Sequence, residues 1–383
     1  MTTQDFKGMQ TPFYYYDLTL LRNTLQAIKD ATADAPNFHV HYAVKACATP
    51  MVLREIAQAG LGADCVSGGE ILRAAEQGFP VSEIVYAGVG KSDWEIEAAL
   101  DKDIAMFNVE SMEELEVINE IASTKCKIAR VAFRINPNVD AHTHAKITTG
   151  LNENKFGIAM EDMLPAIHRA QTLSNIEFLG LHFHIGSQIT ETTPFRALCE
   201  RINELTAALK ADGISVRNIN VGGGYGVDYQ HPDENPIPDF KAYFDTFKQH
   251  LQLDADQHLH FELGRAIVAQ CGSLITKVLY VKQGHSKQFV IVDAGMTDLI
   301  RPALYDAFHF AQNLTAEEEG RAEHCNYDIV GPICESSDVF HKDYQLPITH
   351  RGDLIAFRTA GAYGEIMASQ YNCRPMPKHI CSK

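Results

Sequence analysis

A (β/α)8 barrel followed by a β-rich domain is the fold class this sequence predicts, and three observations predict it. Eight short apolar runs lie between residues 38 and 263, nearly all separated by amphipathic segments of helical period. Glycine and polar residues gather at the C-terminal ends of those runs. After Arg265 the helical spacing gives way to apolar runs punctuated by Gly, Pro and Asp. Strands that alternate with helices require parallel pairing with crossover connections, and eight such strands suit a closed barrel. An open doubly wound sheet is the runner-up, and against it no G-x-G-x-x-G follows the first run.

At 383 residues the chain exceeds the roughly 250 to 300 at which one hydrophobic core stops growing, so two domains are expected. The aromatic run at 13–16 predicts a strand and the spacing over 18–31 a helix. Barrel strands are predicted at 38–44, 62–66, 83–87, 104–109, 129–135, 178–184, 216–221 and 258–263. Helices are predicted near 50–59, 69–77, 92–100, 111–122, 161–172, 194–210 and 239–250. Runs at 273–281, 289–292, 327–330 and 354–359 read as strands of the second domain, and the charged stretch 314–323 as a loop or short exposed helix. The domain reading is a lead-in over 1–22 that joins the C-terminal domain, a barrel over 23–265 and a β domain over 266–383.

Composition narrows the class of function. A net charge of −16 argues against nucleic acid or an anionic membrane as partner. Nine scattered cysteines, with no C-x-x-C, fit a reducing compartment. The N-terminal residues lack a basic region followed by an apolar core, and no stretch has eighteen consecutive apolar residues, so a soluble cytoplasmic protein is expected.

Chemistry concentrates on the rim where such barrels carry it. The first barrel strand ends at Lys45, an amine able to form a Schiff base with pyridoxal 5′-phosphate. Singly, a lysine there is more often a solvated strand end, so the other strand ends decide. Gly222-Gly223-Gly224 and Gly264 lie in the loops after strands seven and eight, where barrels commonly bind phosphate, and Gly186 and Ser187 follow strand six. Glu262 at the end of strand eight suits the ring nitrogen of that cofactor, whose protonated form draws electrons from a substrate. A salt bridge to Arg265 is the alternative for this carboxylate. His184 suits the ring face. His182 with His184, and His142 with His144, raise a metal site, but a metal-dependent hydrolase wants at least three such ligands and the strand ends here offer Lys, Gly and Glu, so no metal is expected.

Tyr42-Ala43-Val44-Lys45-Ala46, His182-Phe183-His184-Ile185-Gly186-Ser187-Gln188, Val221-Gly222-Gly223-Gly224, Glu262-Leu263-Gly264-Arg265, Pro332-Ile333-Cys334-Glu335-Ser336 and Gly361-Ala362-Tyr363-Gly364 occur in this order. In these motifs, which span nearly the whole sequence, the chain resembles the alanine-racemase-like, fold type III pyridoxal phosphate-dependent decarboxylases. The resemblance implies Lys45 as the Schiff-base lysine, His184 over the ring and Glu262 on its nitrogen. It implies phosphate held by Ser187, the Gly222–Gly224 loop, Gly264 and Tyr363, with Arg265 beside it. It also implies a homodimer in which Cys334 comes from the second subunit and protonates the carbon that has lost carbon dioxide. Two departures stand out, Cys47 where the family usually has asparagine and Leu263 where Glu-Pro-Gly-Arg is usual.

Substrate information lies after the cysteine. Decarboxylases of simple diamines have aspartate there, suited to a lone distal ammonium, whereas this chain has Glu335 and adds Arg265, Arg301, Tyr305 and Tyr363. A substrate whose far end is itself an amino acid needs both charges met, an arginine fork for the carboxylate and a glutamate for the ammonium. Meso-2,6-diaminopimelate fits, with lysine as product. Rivals are a decarboxylase of another basic amino acid or of carboxynorspermidine, and a non-catalytic cofactor-binding homologue; the latter often lacks the second domain or the cysteine.

Overall fold

The computed structural model describes residues 3–6, 8–137 and 155–382. His142 and His144 lie outside the described residues. The chain divides into two compact units, one of residues Asn23–Gly226 and Asp239–Ile267, the other of Met1–Arg22, Val227–Pro238 and Val268–Lys383.

Strand β1 (Phe13–Tyr16) and helix α1 (Leu18–Thr32) open the chain. In the first unit, β2 (Phe38–Ala43), β3 (Gly62–Cys65), β4 (Ile84–Tyr86), β5 (Met106–Val109), β6 (Ala129–Arg134), β7 (Ile176–His182), β8 (Asn218–Asn220) and β9 (His258–Leu263) close into a barrel in chain order. The closing seam is parallel and sets Phe38 opposite Leu259 and His41 opposite Glu262. Around them run α2 (Pro50–Gln58), α3 (Gly68–Glu76), α4 (Asp93–Lys102), α5 (Met112–Thr124), α6 (Met163–Thr172), α7 (Thr193–Ala211) and α8 (Phe240–His250). These are the strands and helices the periodicity predicts, with ends shifted by a few residues.

Local chemistry sets where each helix begins. Ser67, Ser111 and Asp239 accept hydrogen bonds from the backbone N–H groups of Glu70, Glu114 and Ala242, and Ser92 forms a reciprocal cap with Glu95. Pro50 and Pro194 occupy first turns, where the missing N–H costs nothing. In α2 the apolar stripe Val52, Leu53 and Ile56 is buried. Between helix α8 and strand β9, Phe244 and Phe247 each meet Phe261 edge to face.

The second unit is built on an eight-stranded mixed sheet. Helix α9 (Arg265–Val268) leads into β10 (Gly272–Gln283) and β11 (Gln288–Val292). Then come α10 (Arg301–Tyr305), β12 (Ala311–Asn313), α11 (Leu314–Glu318), β13 (His324–Val330), β14 (Val339–Pro347), β15 (Leu354–Phe357) and β16 (Lys378–Cys381). The aromatic strand β1 pairs antiparallel with β10 and parallel with β16.

Three features depart from the sequence reading. The barrel does not own 23–265 without a break, because Val227–Pro238 groups with the sheet unit. Strands β12, β14 and β16 are not foreseen. At the end of the sheet, β14 carries exposed Lys342 and Asp343 and so lacks an apolar run, as edge strands do. Within 314–323 a short helix forms, but its Leu314 and Ala316 are buried rather than exposed.

Candidate active site

In the barrel unit, β2 passes into a single tight turn, Val44–Ala46, that presents Lys45. Its Nζ donates to Asp64 Oδ2 at 3.2 Å, and the Asp64 side chain is wholly buried. Burial pushes the Asp64 carboxyl up to about 6, the charge of Glu262 adding to the rise and Lys45 opposing it. The other oxygen, Oδ1, has no hydrogen-bond partner among the described residues.

Glu262 is surrounded by donors. Asn108 Nδ2 and Asn220 Nδ2 donate to its Oε1 at 3.0 and 2.7 Å, and His182 Nε2 donates to Oε2 at 3.2 Å. Burial works against its charge, but His182 and Lys45 outweigh that penalty and hold the carboxyl well below the usual range. Arg265 is not the partner; its Nη2 donates to Ser187 Oγ at 3.0 Å. His182, grouped by sequence with His184 as a candidate ligand, serves Glu262 instead.

His184 lies just past the end of β7, and its Nδ1 accepts the Gly223 N–H at 3.2 Å. Burial, with the cations Arg134 and Lys45, pushes its pKa well down, so the ring is neutral with its proton on Nε2. The glycine run is a close-packed crossing. A side chain at Gly222 would strike the carbonyl oxygen of Phe183, and one at Gly223 that of Glu262. Gly222 and Gly224 also take positive φ, +69° and +103°. Gly223→Ala is accordingly expected to lower the melting temperature by several degrees and to weaken cofactor retention, because two backbones must part to admit one methyl group. Gly264 stands where a Cβ would come within 3.0 Å of the Ala46 Cβ, so Leu263 in place of proline still delivers this close approach. Cys47 is buried and its Sγ donates to Thr49 Oγ1 at 3.3 Å.

The sheet unit carries the remaining candidates. Cys334 and Glu335 are exposed on a loop wound around buried Asp338. The N–H groups of Ile333 and Met296 donate to the Asp338 carboxylate at 2.7 and 2.6 Å. The Cys334 N–H donates to Asn372 Oδ1 at 2.9 Å, and Tyr371 OH donates to Glu335 Oε1 at 2.6 Å. Arg301 and Tyr305 begin and end α10, the arginine buried and the tyrosine half-buried. Tyr363 sits at positive φ in Gly361-Ala362-Tyr363-Gly364, where a Cβ at Gly364 would approach the Tyr14 hydroxyl to 2.7 Å.

A family model for the pyridoxal-binding domain of pyridoxal-dependent decarboxylases matches residues 21–269. A diaminopimelate decarboxylase of Bacteroides thetaiotaomicron is 62% identical over 377 residues, 98% of this chain and 97% of that one. The chain belongs to the diaminopimelate decarboxylase family. A family member of Aquifex aeolicus is 41% identical over 97% of this chain and 86% of its own. The crystal structure of the Helicobacter pylori family member complexed with L-lysine superposes with a TM-score of 0.93 at 42% identity, covering 100% of this chain and 94% of that one.

Pyridoxal 5′-phosphate is the cofactor of this family. The barrel residues fit it by their chemistry: an amine on a strand end, a buried carboxylate kept ionised, a neutral imidazole, and a glycine crossing beside a hydroxyl and a guanidinium. Asp64, and the service of Asn108, Asn220 and His182 to Glu262, escape the sequence reading. The available signal is a polar residue inside a short buried strand, as in Gly62-Ala63-Asp64-Cys65, Met106-Phe107-Asn108-Val109 and Asn218-Ile219-Asn220.

Proposed function

We propose that the protein decarboxylates meso-2,6-diaminopimelate to L-lysine and carbon dioxide with pyridoxal 5′-phosphate. The observation that carries this reading is Glu262, a buried carboxylate on the strand that pairs with the one leading to Lys45, held ionised by donors from three other strands. Bound there, the cofactor supplies an electron sink for the pair left behind when the carboxylate departs.

The chain's own residues do the rest. Lys45 anchors the cofactor through its amine, and Glu262 keeps a proton on the ring nitrogen. His184 lies against the ring face. Ser187, Gly222, Gly223, Gly224, Gly264, Arg265 and Tyr363 receive the phosphate, with backbone N–H groups that only glycines let approach so closely. Arg265, Arg301, Tyr305 and Tyr363 meet the far carboxylate and Glu335 the far ammonium, a division of charge that a lone diamine end would not need. The bond from the α-carbon to the D-configured carboxylate breaks, carbon dioxide leaves, and the Cys334 thiol gives that carbon its proton. Cys334 and Glu335 serve the barrel of a second subunit, so the working unit is a homodimer. The reaction supplies lysine for biosynthesis in the cytoplasm, a reducing compartment that suits nine scattered cysteines with no C-x-x-C. No helix of the described residues is long and apolar enough to cross a membrane.

The test is an absorbance spectrum of the holoenzyme before and after adding meso-diaminopimelate, with carbon dioxide and lysine followed in the same tube. A visible cofactor band that changes with substrate while both products appear is the expected result; a band with no product would overturn the substrate. Arg301→Ala is expected to raise KM for diaminopimelate by about a hundredfold, since a charged hydrogen-bonding partner is lost. An unchanged KM would place the far carboxylate elsewhere.

A further inference from the structure

We propose that His309 and Tyr229 are positioning residues that fix the Arg301 guanidinium and so set the preference for ligands with a carboxylate at the far end. The proposal rests on the reading of Arg301 as the group that meets that carboxylate. Arg301 is 6% exposed and cannot shed its charge, so its setting must be matched group by group.

Its Nη1 lies 2.9 Å from His309 Nε2. Arginine can only donate, so Nε2 accepts, and the ring must carry its proton on Nδ1. That Nδ1–H in turn donates to the Arg358 carbonyl oxygen at 3.1 Å. The imidazole is therefore fixed in one neutral tautomer by a backbone atom of its own unit. His341 Nε2 donates to the His309 carbonyl oxygen at 2.6 Å and pins the other end of the residue. Meanwhile the Tyr229 ring faces the guanidinium, 4.9 Å from its carbon to the ring centroid, and meets the His309 ring edge to face at 5.3 Å and 83°. One contact fixes the guanidinium in its plane and the other fixes its face.

The choice of imidazole matters. A carboxylate at position 309 would orient Arg301 equally well but would offset its charge, whereas a neutral imidazole directs one N–H without bringing a negative charge to it. Tyr229 belongs to Val227–Pro238, the segment that groups with the sheet unit and not with the barrel. Arg358 holds that segment, its Nη2 donating to Asp233 Oδ1 at 2.8 Å. The excursion thus has a task, which is to bring an aromatic face to Arg301.

The experiment uses the holoenzyme and three ligands: meso-diaminopimelate as substrate, L-lysine as an inhibitor that keeps the far carboxylate, and 1,5-diaminopentane as one that lacks it. His309→Leu and Tyr229→Leu are each expected to raise KM and the lysine inhibition constant by about tenfold, with far smaller changes in kcat and in the diaminopentane constant. His309→Gln keeps an acceptor and Tyr229→Phe keeps a ring face, so both should recover most of the loss and also guard against a variant that fails to fold. Equal weakening of all three ligands would overturn the proposal. So would a raised KM in Arg301→Ala with KM unchanged in His309→Leu, Tyr229→Leu and both conservative variants. An unchanged KM in Arg301→Ala would overturn the reading of Arg301 itself.

Discussion

Replacing Lys45 by alanine is expected to abolish turnover, with kcat falling by at least about a thousandfold, and to remove the visible cofactor band. Two consequences follow from the same amine. The first is chemical: no other described residue is presented as Lys45 is, on the tight turn that ends β2 beside the closing seam of the barrel. The second is electrostatic. Lys45 is the cation that opposes the rise of Asp64, whose carboxyl already stands at about 6. Without it that carboxyl rises further, and at neutral pH a larger fraction of the protein holds Asp64 protonated. Lys45→Arg restores the charge but not the nucleophile, because guanidinium does not lose a proton in this range. The arginine variant should therefore remain inactive while its Asp64 ionises as in the parent. Kinetics and cofactor absorbance measured on both variants separate the two roles, and normal turnover by Lys45→Ala would overturn the anchoring role.

The barrel was legible because parallel strands are covered on both faces and so read as short continuous apolar runs between helices. On its rim, Lys45, Gly222–Gly224 and Glu262 draw attention in the sequence because they are residue types a strand end does not otherwise favour together. What stayed hidden are residues that act on other residues. Asn220 sits in a three-residue strand where amide and aliphatic side chains alternate, and only the closed sheet brings its Nδ2 to Glu262. His309 and Tyr229 are far apart in sequence, and the folding of Val227–Pro238 into the sheet unit makes them neighbours. Periodicity carries no information about such an excursion, since the segment is mostly polar and proline-rich and belongs to neither repeating pattern. The Glu262–Arg265 alternative fails for a related reason. Residues three apart across a strand end do not share a direction, and Arg265 turns to Ser187 instead.

Cys334→Ala is expected to lower kcat by about a hundredfold or more, the usual worth of a positioned proton donor, with cofactor absorbance and melting temperature nearly unchanged. The loop explains why so local a loss is expected. Its shape is set by backbone groups: the Ile333 N–H on Asp338 Oδ2, the Gly331 N–H on the Asp338 carbonyl oxygen, and the Cys334 N–H on Asn372 Oδ1. None of these uses the thiol, so alanine should inherit the same conformation. A drop in melting temperature comparable to that of a core variant would show that the sulfur supports the loop and would undercut its role as proton donor. The variant also tests the sharing of sites between subunits. Lys45→Ala and Cys334→Ala carry their defects in different units of the chain. If each site joins the barrel of one subunit to the loop of the other, a mixed dimer has one site with both defects and one with neither. Random mixing of the two inactive proteins should then recover about a quarter of the parent activity, because half of the dimers are mixed and each has one intact site. If instead each subunit completes its own site, every site keeps one defect and mixing recovers nothing.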